Sequence, residues 1–423
     1  MTAEASGPAL ARRLTTADAV VIGVGSMVGA GLFSAFAPAA RAAGALLLLA
    51  LGVAALVAFC NAASSAQLAA QYPTSGGTYV YGRERLGPWW GFVAGWGFVI
   101  GKTASCAAMA LVLAAYVVPE PWQKPVAVAA VVTLAAVNYR GITRTARLTR
   151  LIVALVLVLL AVVLVAVAAG GRAGPPAAGM GAVGLGGVLQ GAAILFFAFA
   201  GYARIATLGE EVVDPARTIP RAILGAFAVV VPLYAVTGVL LLRTLGVDAL
   251  ASSPAPLRDA AATVTSGGWL QLVVVVAAAA ATLGALLALV AGVGRTALAM
   301  AREGDLPRPL AAVHPRYAVP HVAEVTVAVV VCALVLLTDL RSAIGFSSFG
   351  VLTYYAVANA AALTQQRPHR RYPRFVPVVG LLGCLVLAFA VPTTSLVAGV
   401  VVLAVGLLGR LVVRSRRPDR AAA

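Results

Sequence analysis

Apolar positions in this chain neither alternate nor recur every third or fourth residue; they run together. About twelve such runs follow one another between short polar loops, each long enough to cross or nearly cross a hydrocarbon core of roughly 30 Å. They lie near 15–40, 44–70, 86–116, 126–137, 151–169 and 187–208, and then near 222–242, 268–290, 322–337, 342–363, 376–391 and 395–413. A segment apolar on every side predicts a helix that buries all its faces, and in lipid a helix also satisfies its own backbone. The first run carries no small-residue cleavage site and continues into a glycine-rich stretch, so it is expected to be a retained helix.

Two of these runs carry glycine where a membrane helix should be smooth. The first reads Gly23-Val-Gly25-Ser-Met-Val-Gly29-Ala-Gly31-Leu-Phe33, and the second reads Phe196-Phe-Ala-Phe-Ala-Gly201-Tyr-Ala-Arg204. They open the first and sixth segments, so they take matching places in two successive groups of five. An odd number of spans inverts the second copy. The expected organisation is one transporter-like domain with a first repeat over 14–169, a second over 187–363 and two further helices over 375–413. The Gly/Pro-rich stretch 170–187 is the seam, read as an external loop. Unwound backbone within a bilayer survives only where protein or a cavity shelters it. Matched glycine-interrupted helices point to a binding site at the midplane.

Composition agrees with lipid. The 423 residues are 61% hydrophobic and 11% charged, against about 25% charged in soluble domains. The formal charge of +17 does not indicate nucleic acid, because the basic residues sit in short loops between spans. With the N-terminus placed in the cytoplasm, only Arg41, Lys124, Arg172, Arg243, Arg258 and Arg341 fall outside, and Lys102 falls within a span. That bias is the positive-inside rule. It predicts a multi-pass protein of the cytoplasmic membrane with both termini inside, its basic loops touching anionic lipid. Cys60, Cys106, Cys332 and Cys384 lie in apolar spans at no metal-like spacing and read as small core residues.

Four further strings join the glycine breaks. Tyr72-Pro-Thr-Ser-Gly76-Gly77-Thr-Tyr79-Val-Tyr81 precedes the third span, with Leu86-Gly87-Pro88 after it; Asn138-Tyr-Arg140-Gly141 leaves the fourth. Gly209-Glu210-Glu211-Val-Val-Asp214-Pro215-Ala-Arg217-Thr218-Ile219-Pro220 joins the sixth and seventh. Arg295-Thr-Ala-Leu-Ala-Met300-Ala-Arg302-Glu303-Gly304-Asp305-Leu306-Pro307 follows the eighth. In this order, over roughly 14–363, the chain resembles the amino acid–polyamine–organocation (APC) superfamily, specifically its prokaryotic amino acid permeases. The resemblance implies an all-α integral membrane protein with a LeuT-like fold: inverted five-helix repeats, about twelve transmembrane helices, and discontinuous helices one and six. It also implies secondary active transport of amino acids or amines by alternating access, often proton-coupled or by exchange.

The two breaks suit a zwitterion. A carboxylate seeks free N–H donors and an ammonium seeks free carbonyls; a broken helix offers both. The half-helix expected to start near Leu32 presents N–H groups and a positive dipole end. Those ending near Met27 and Phe199 present carbonyls. The resemblance places substrate against Gly29, Ala30 and Gly31 with Ser26 nearby, and against carbonyls around 197–200 beside Gly201, including Ala200. Phe197 matches the family's aromatic that covers the substrate, and Cys106 falls near the pocket. Gly25 and Gly29 also fit a GxxxG packing contact; the matching break at Gly201 favours the binding reading. No strand precedes the glycines, so they do not form a nucleotide loop.

Two departures from the family pattern bear on substrate. Many relatives carry an acid two positions after the glycine matched by Gly201; here that residue is Ala203, which speaks against arginine- or polyamine-type cargo. Arg204 follows, either pairing with Glu210 or Glu211 or snorkelling to the interface. Lys102 lies deep in the third span, where a charge costs about 2.5–3.5 kcal/mol on insertion scales. It is expected to couple protons or organise the cavity, with a structural pairing to helix-end carbonyls as the alternative. An analogous lysine in relatives sits on the fifth span, so this role is not carried over by position. Sodium coupling is disfavoured, because the eighth span offers Thr282 and Thr296 but no adjacent hydroxyl pair. Glu324 is expected near an interface, and His314, His321 and His369 form no metal or catalytic cluster. The expected function is therefore transport of an amino acid or amine, with proton symport first and exchange second, and no cofactor. A membrane enzyme would need paired acids, a Ser/His pair or metal ligands in the spans, and a channel would need a selectivity element; neither is visible.

Overall fold

The computed structural model describes residues 14–415 apart from 30, 74–75, 142–145, 172–173, 175–183, 207, 209–210 and 266. Among them there is no strand, only an isolated bridge between Leu14 and Val212. The helices in chain order are α1 (Thr16–Val28), α2 (Gly31–Ser34), α3 (Phe36–Ala43), α4 (Leu47–Gln71), α5 (Thr78–Leu86), α6 (Pro88–Val117), α7 (Glu120–Tyr139) and α8 (Ala146–Gly170). They continue with α9 (Leu185–Phe199), α10 (Ala203–Ala206), α11 (Pro215–Ser252), α12 (Pro256–Ala262), α13 (Trp269–Arg302), α14 (His321–Leu337), α15 (Leu340–Leu363), α16 (Phe375–Ala390) and α17 (Thr393–Ser415). Nine helical stretches among the described residues are long and apolar enough to cross a membrane, and α14 and α16 are shorter apolar helices. The expected apolar runs fall on helices, the first divided over α1, α2 and α3 and the sixth over α9 and α10; the fourth, near 126–137, falls on α7, which is not among the helices apolar enough to cross. Several helices outrun the hydropathy signal because their ends are polar. α11, for example, starts at the Asp214–Pro215 pair, where proline at the first helical position is pre-set for helix.

Large aliphatic and aromatic side chains such as Leu151, Val165, Leu337 and Phe389 point outward and are mostly exposed. A belt of this kind is at home only in lipid. The centre is α6, buried along its whole apolar stretch and packed on α15 and α13. Small residues permit that approach. A Cβ on Gly97 would lie 2.9 Å from the Gly350 carbonyl oxygen, and one on Gly350 would lie 2.7 Å from the Gly101 Cα. This is the close helix contact that glycine allows in membranes. Ser105 Oγ meets Ser347 Oγ at 2.6 Å in the same seam, which fixes the rotation of α6 and hence the direction of Lys102.

The arginine-rich end is tied by a compact ion cluster. Asp305, just past α13, accepts from Tyr79 Oη at 2.9 Å and pairs with Arg83 at 3.3 Å and Arg410 at 2.7 Å. Arg83 also reaches Glu303 at 2.9 Å. Burial, with the Asp305 carboxylate beside it, raises the Tyr79 hydroxyl well above its usual value, so it stays a proton donor. Arg410 donates to the Pro88 carbonyl at 2.7 Å and lies over the Trp89 and Phe92 rings, each centroid 4.7 Å away. Its side chain is only 2% exposed. Arg410 is thus a buried clasp between α17 and the start of α6, beyond the orienting charge its position in the tail suggests. Trp89 is taken up beneath it, and Trp96 donates to the Val402 carbonyl at 2.9 Å, while Trp90, Trp122 and Trp269 are exposed.

Candidate functional site

Both glycine strings interrupt their helices. α1 stops at Val28, and Gly29 leaves helical geometry at φ −23° and ψ −114°. α2 begins at Gly31 and runs through a bend at Ala35 into α3, with Ala35 N–H donating to the Gly31 carbonyl at 3.0 Å. Ala30 lies outside the described residues. The second interruption is milder. α9 ends at Phe199, a single 3-10 turn covers Ala200–Tyr202, and α10 resumes at Ala203. The half-helix ends expected near Met27, Leu32 and Phe199 therefore fall within a residue of those observed, but the second helix tightens and does not unravel. The sequence could not show this, since one glycine among aromatics does not fix how far a helix unwinds.

The two breaks touch, backbone to backbone. A Cβ on Gly201 would overlap the Ser26 carbonyl and lie 2.6 Å from the Met27 nitrogen. One on Gly31 would overlap the Ala198 backbone, and one on Gly29 would lie 2.8 Å from the Ala285 Cβ on α13. At Gly201 and Gly31 the neighbour is main chain, which cannot swing aside, so only glycine fits. Ser26 thus meets Gly201 and Gly31 meets Ala198, with Gly29, Phe197 and Ala200 beside these contacts along the chain. Ser26 and Gly201 are half-buried there, while Phe197 and Ala200 are buried. Ser26 Oγ donates to the Ile22 carbonyl at 2.8 Å.

Side chains from across the bundle reach four carbonyls at or beside the breaks. Tyr234 Oη on α11 lies 2.7 Å from the Met27 oxygen and 3.0 Å from the Ala198 oxygen, so one hydroxyl spans both interruptions. Lys102 Nζ donates to the Ala200 oxygen at 3.0 Å, with Tyr355 Oη at 3.4 Å from the same atom. Tyr116 Oη donates to the Phe33 oxygen at 2.9 Å at the far end of α2. The cause is general, because an unpaired carbonyl in a dry interior is costly and finds a donor. Sequence reasoning missed the three tyrosines. Their signal was a lone polar tip inside otherwise apolar spans, each needing an acceptor.

Lys102 is 6% exposed. It sits at the carbonyl end of α9, where the helix dipole favours a cation, and no carboxylate among the described residues lies within ion-pair distance of it. Cys106 is fully buried one turn along α6, with Lys102 as its electrostatic neighbour. Arg204 is half-buried and 3.9 Å from Glu211, and Glu210 lies outside the described residues. Glu324 lies in the first turn of α14, as expected near a helix start. It is 3% exposed and packs on Gly294 of α13, because glycine there leaves room for its side chain. Thr282 and Thr296 donate to carbonyls of their own helix. His314 and His321 join Tyr139 and Tyr317 in an aromatic cluster, and no group of three metal-ligating side chains occurs among the described residues.

A profile of the amino acid permease family matches residues 14–412. An uncharacterized transporter of Mycobacterium tuberculosis is 58% identical over 399 residues, covering 94% of this chain and 90% of its own length. The branched-chain amino acid permease BcaP of Bacillus subtilis is 25% identical over 435 residues, covering 94% and 92%. The chloroplastic cationic amino acid transporter 7 of Arabidopsis thaliana is 27% identical over 384 residues, covering 84% and 66%. A match along nearly the whole chain, to transporters and not enzymes, settles the class: this chain belongs to the amino acid permease family of integral membrane transporters.

Proposed function

We propose that the protein is a secondary active transporter that moves amino acids or related amines across the cytoplasmic membrane by alternating access. The observation that carries this reading is the backbone contact of two interrupted helices at Gly201 and Ser26 within a helical bundle. Substrate would lie against Ser26, Gly29, Ala30 and Gly31 on one side and Phe197, Ala200 and Gly201 on the other, with Cys106 behind Lys102. The architecture we adopt is LeuT-like, with about twelve spans, inverted repeats over 14–169 and 187–363, two further helices over 375–413 and both termini cytoplasmic. Its supports are the paired interruptions and the arginine-rich loops.

Proton symport is the favoured energy source and amino acid exchange the second. Lys102 is the coupling residue in this scheme, because a buried ammonium held by one neutral carbonyl changes the charge of the cavity when it gains or loses a proton. The titratable groups beside it are the Cys106 thiol on its own helix and the Tyr355 hydroxyl on α15, which shares the Ala200 oxygen. Uptake of labelled amino acid into proteoliposomes should rise under an inward proton gradient without amino acid inside. Uptake that requires internal amino acid and ignores the gradient indicates exchange. A Lys102→Gln variant that keeps the wild-type dependence on external pH removes the lysine from the coupling role.

A further inference from the structure

The carbonyl end of the second break, where the proposed reading puts a substrate's ammonium, already holds one from the protein. Lys102 Nζ donates to the Ala200 oxygen at 3.0 Å, and Tyr234 occupies the Ala198 and Met27 oxygens. Further cationic side chains stand nearby. Arg204 follows the break directly and feels Arg295 of α13 through space. The acids at this end belong to those arginines and not to Lys102: Glu211 is 3.9 Å from Arg204, and Glu324, packed on Gly294, lies beside Arg295. Ala203, two positions past Gly201, supplies no charge. Like charges repel strongly where water is excluded.

We propose that Lys102 sets the charge of the cargo: as a resident ammonium on the second break, it bars substrates with a cationic side chain or without a carboxylate, and admits net-neutral or acidic amino acids. A zwitterion adds no net charge to a cavity that already holds one cation, and its carboxylate offers that cation the counter-charge the protein leaves out. A second carboxylate on the side chain does so further. Arginine, lysine or a diamine would instead add a positive charge beside the one present. This inference rests on the amino acid reading of the site and narrows it.

The test is a thermal-stability and uptake-competition panel on the purified full-length protein, with leucine, alanine and glutamate against arginine, lysine and putrescine. In the wild type, the first three should stabilise and compete at concentrations at least tenfold below the last three. Lys102→Gln, which keeps an N–H donor for the Ala200 oxygen without the charge, should bring the two groups to within about threefold of each other. Lys102→Arg should restore the discrimination. Wild-type protein that binds arginine or putrescine as well as leucine overturns the proposal, as does undiminished discrimination in Lys102→Gln. If Lys102→Gln does not fold, the wild-type panel and Lys102→Arg decide. If no probe of any charge binds, the amino acid reading itself fails and this inference falls with it.

Discussion

At the scale of single residues, the site is a matter of which oxygen accepts from which donor. Tyr234 makes the point: one hydroxyl reaches the Met27 and Ala198 oxygens on two different broken helices. Tyr234→Phe leaves both acceptors without that donor but keeps the ring and its contacts with Phe36 and Phe199. Hydrogen bonds inside membranes are worth about 0.6 kcal/mol on average and about 1.7 at most. The variant should therefore unfold slightly sooner in detergent, by an amount in that range, while transport falls more steeply because both breaks lose their common brace. Thermal unfolding and uptake measured on the same preparation check this; an unchanged uptake rate would show the hydroxyl to be packing only. The sequence offered pairing with helix-end carbonyls as one reading of Lys102, which the Ala200 oxygen meets, but it did not point to the tyrosines or to which carbonyl each partner would take. The glycines announced an interruption locally, but Tyr234, Tyr355 and Lys102 meet the breaks across long stretches of sequence, and nothing in a one-dimensional pattern pairs a given tyrosine with a given carbonyl.

At the scale of elements, hydropathy found the helices well because a lipid-facing surface must be apolar throughout, and the glycine strings located the ends of α1 and α9. What it could not separate was charge that orients the protein from charge that holds it together. Arg410 sits in a basic tail and reads as an orienting residue. In the fold it is a clasp, with its guanidinium on Asp305, the Pro88 carbonyl and two aromatic faces. Removing one partner of a buried pair costs about 3–5 kcal/mol. Arg83 still neutralises Asp305 in part at 3.3 Å, so Arg410→Ala should cost toward the lower end of that range, read as an earlier unfolding transition. Asp305→Asn combined with Arg410→Ala should cost less than the sum of the two single changes. Additive losses would mean the two side chains act independently. Glu324 adds to this: its place near a helix start was legible, but its burial against Gly294 of α13 was not.

For the molecule as a whole, the two interruptions that meet in the bundle are the reason to expect a moving part. Their contact requires glycine at Gly201, because any side chain there would strike the Ser26 carbonyl and the Met27 nitrogen. Gly201→Val should force the breaks apart and abolish carriage without disturbing the lipid-facing surface or the Arg410 clasp. The decisive measurement is counterflow of a labelled amino acid into proteoliposomes preloaded with the same compound, made on wild type and on Gly201→Val that elutes as a single symmetric peak. The account predicts a transient overshoot for wild type and none for the variant. Wild type without any overshoot, or a Gly201→Val protein that overshoots equally, would contradict it.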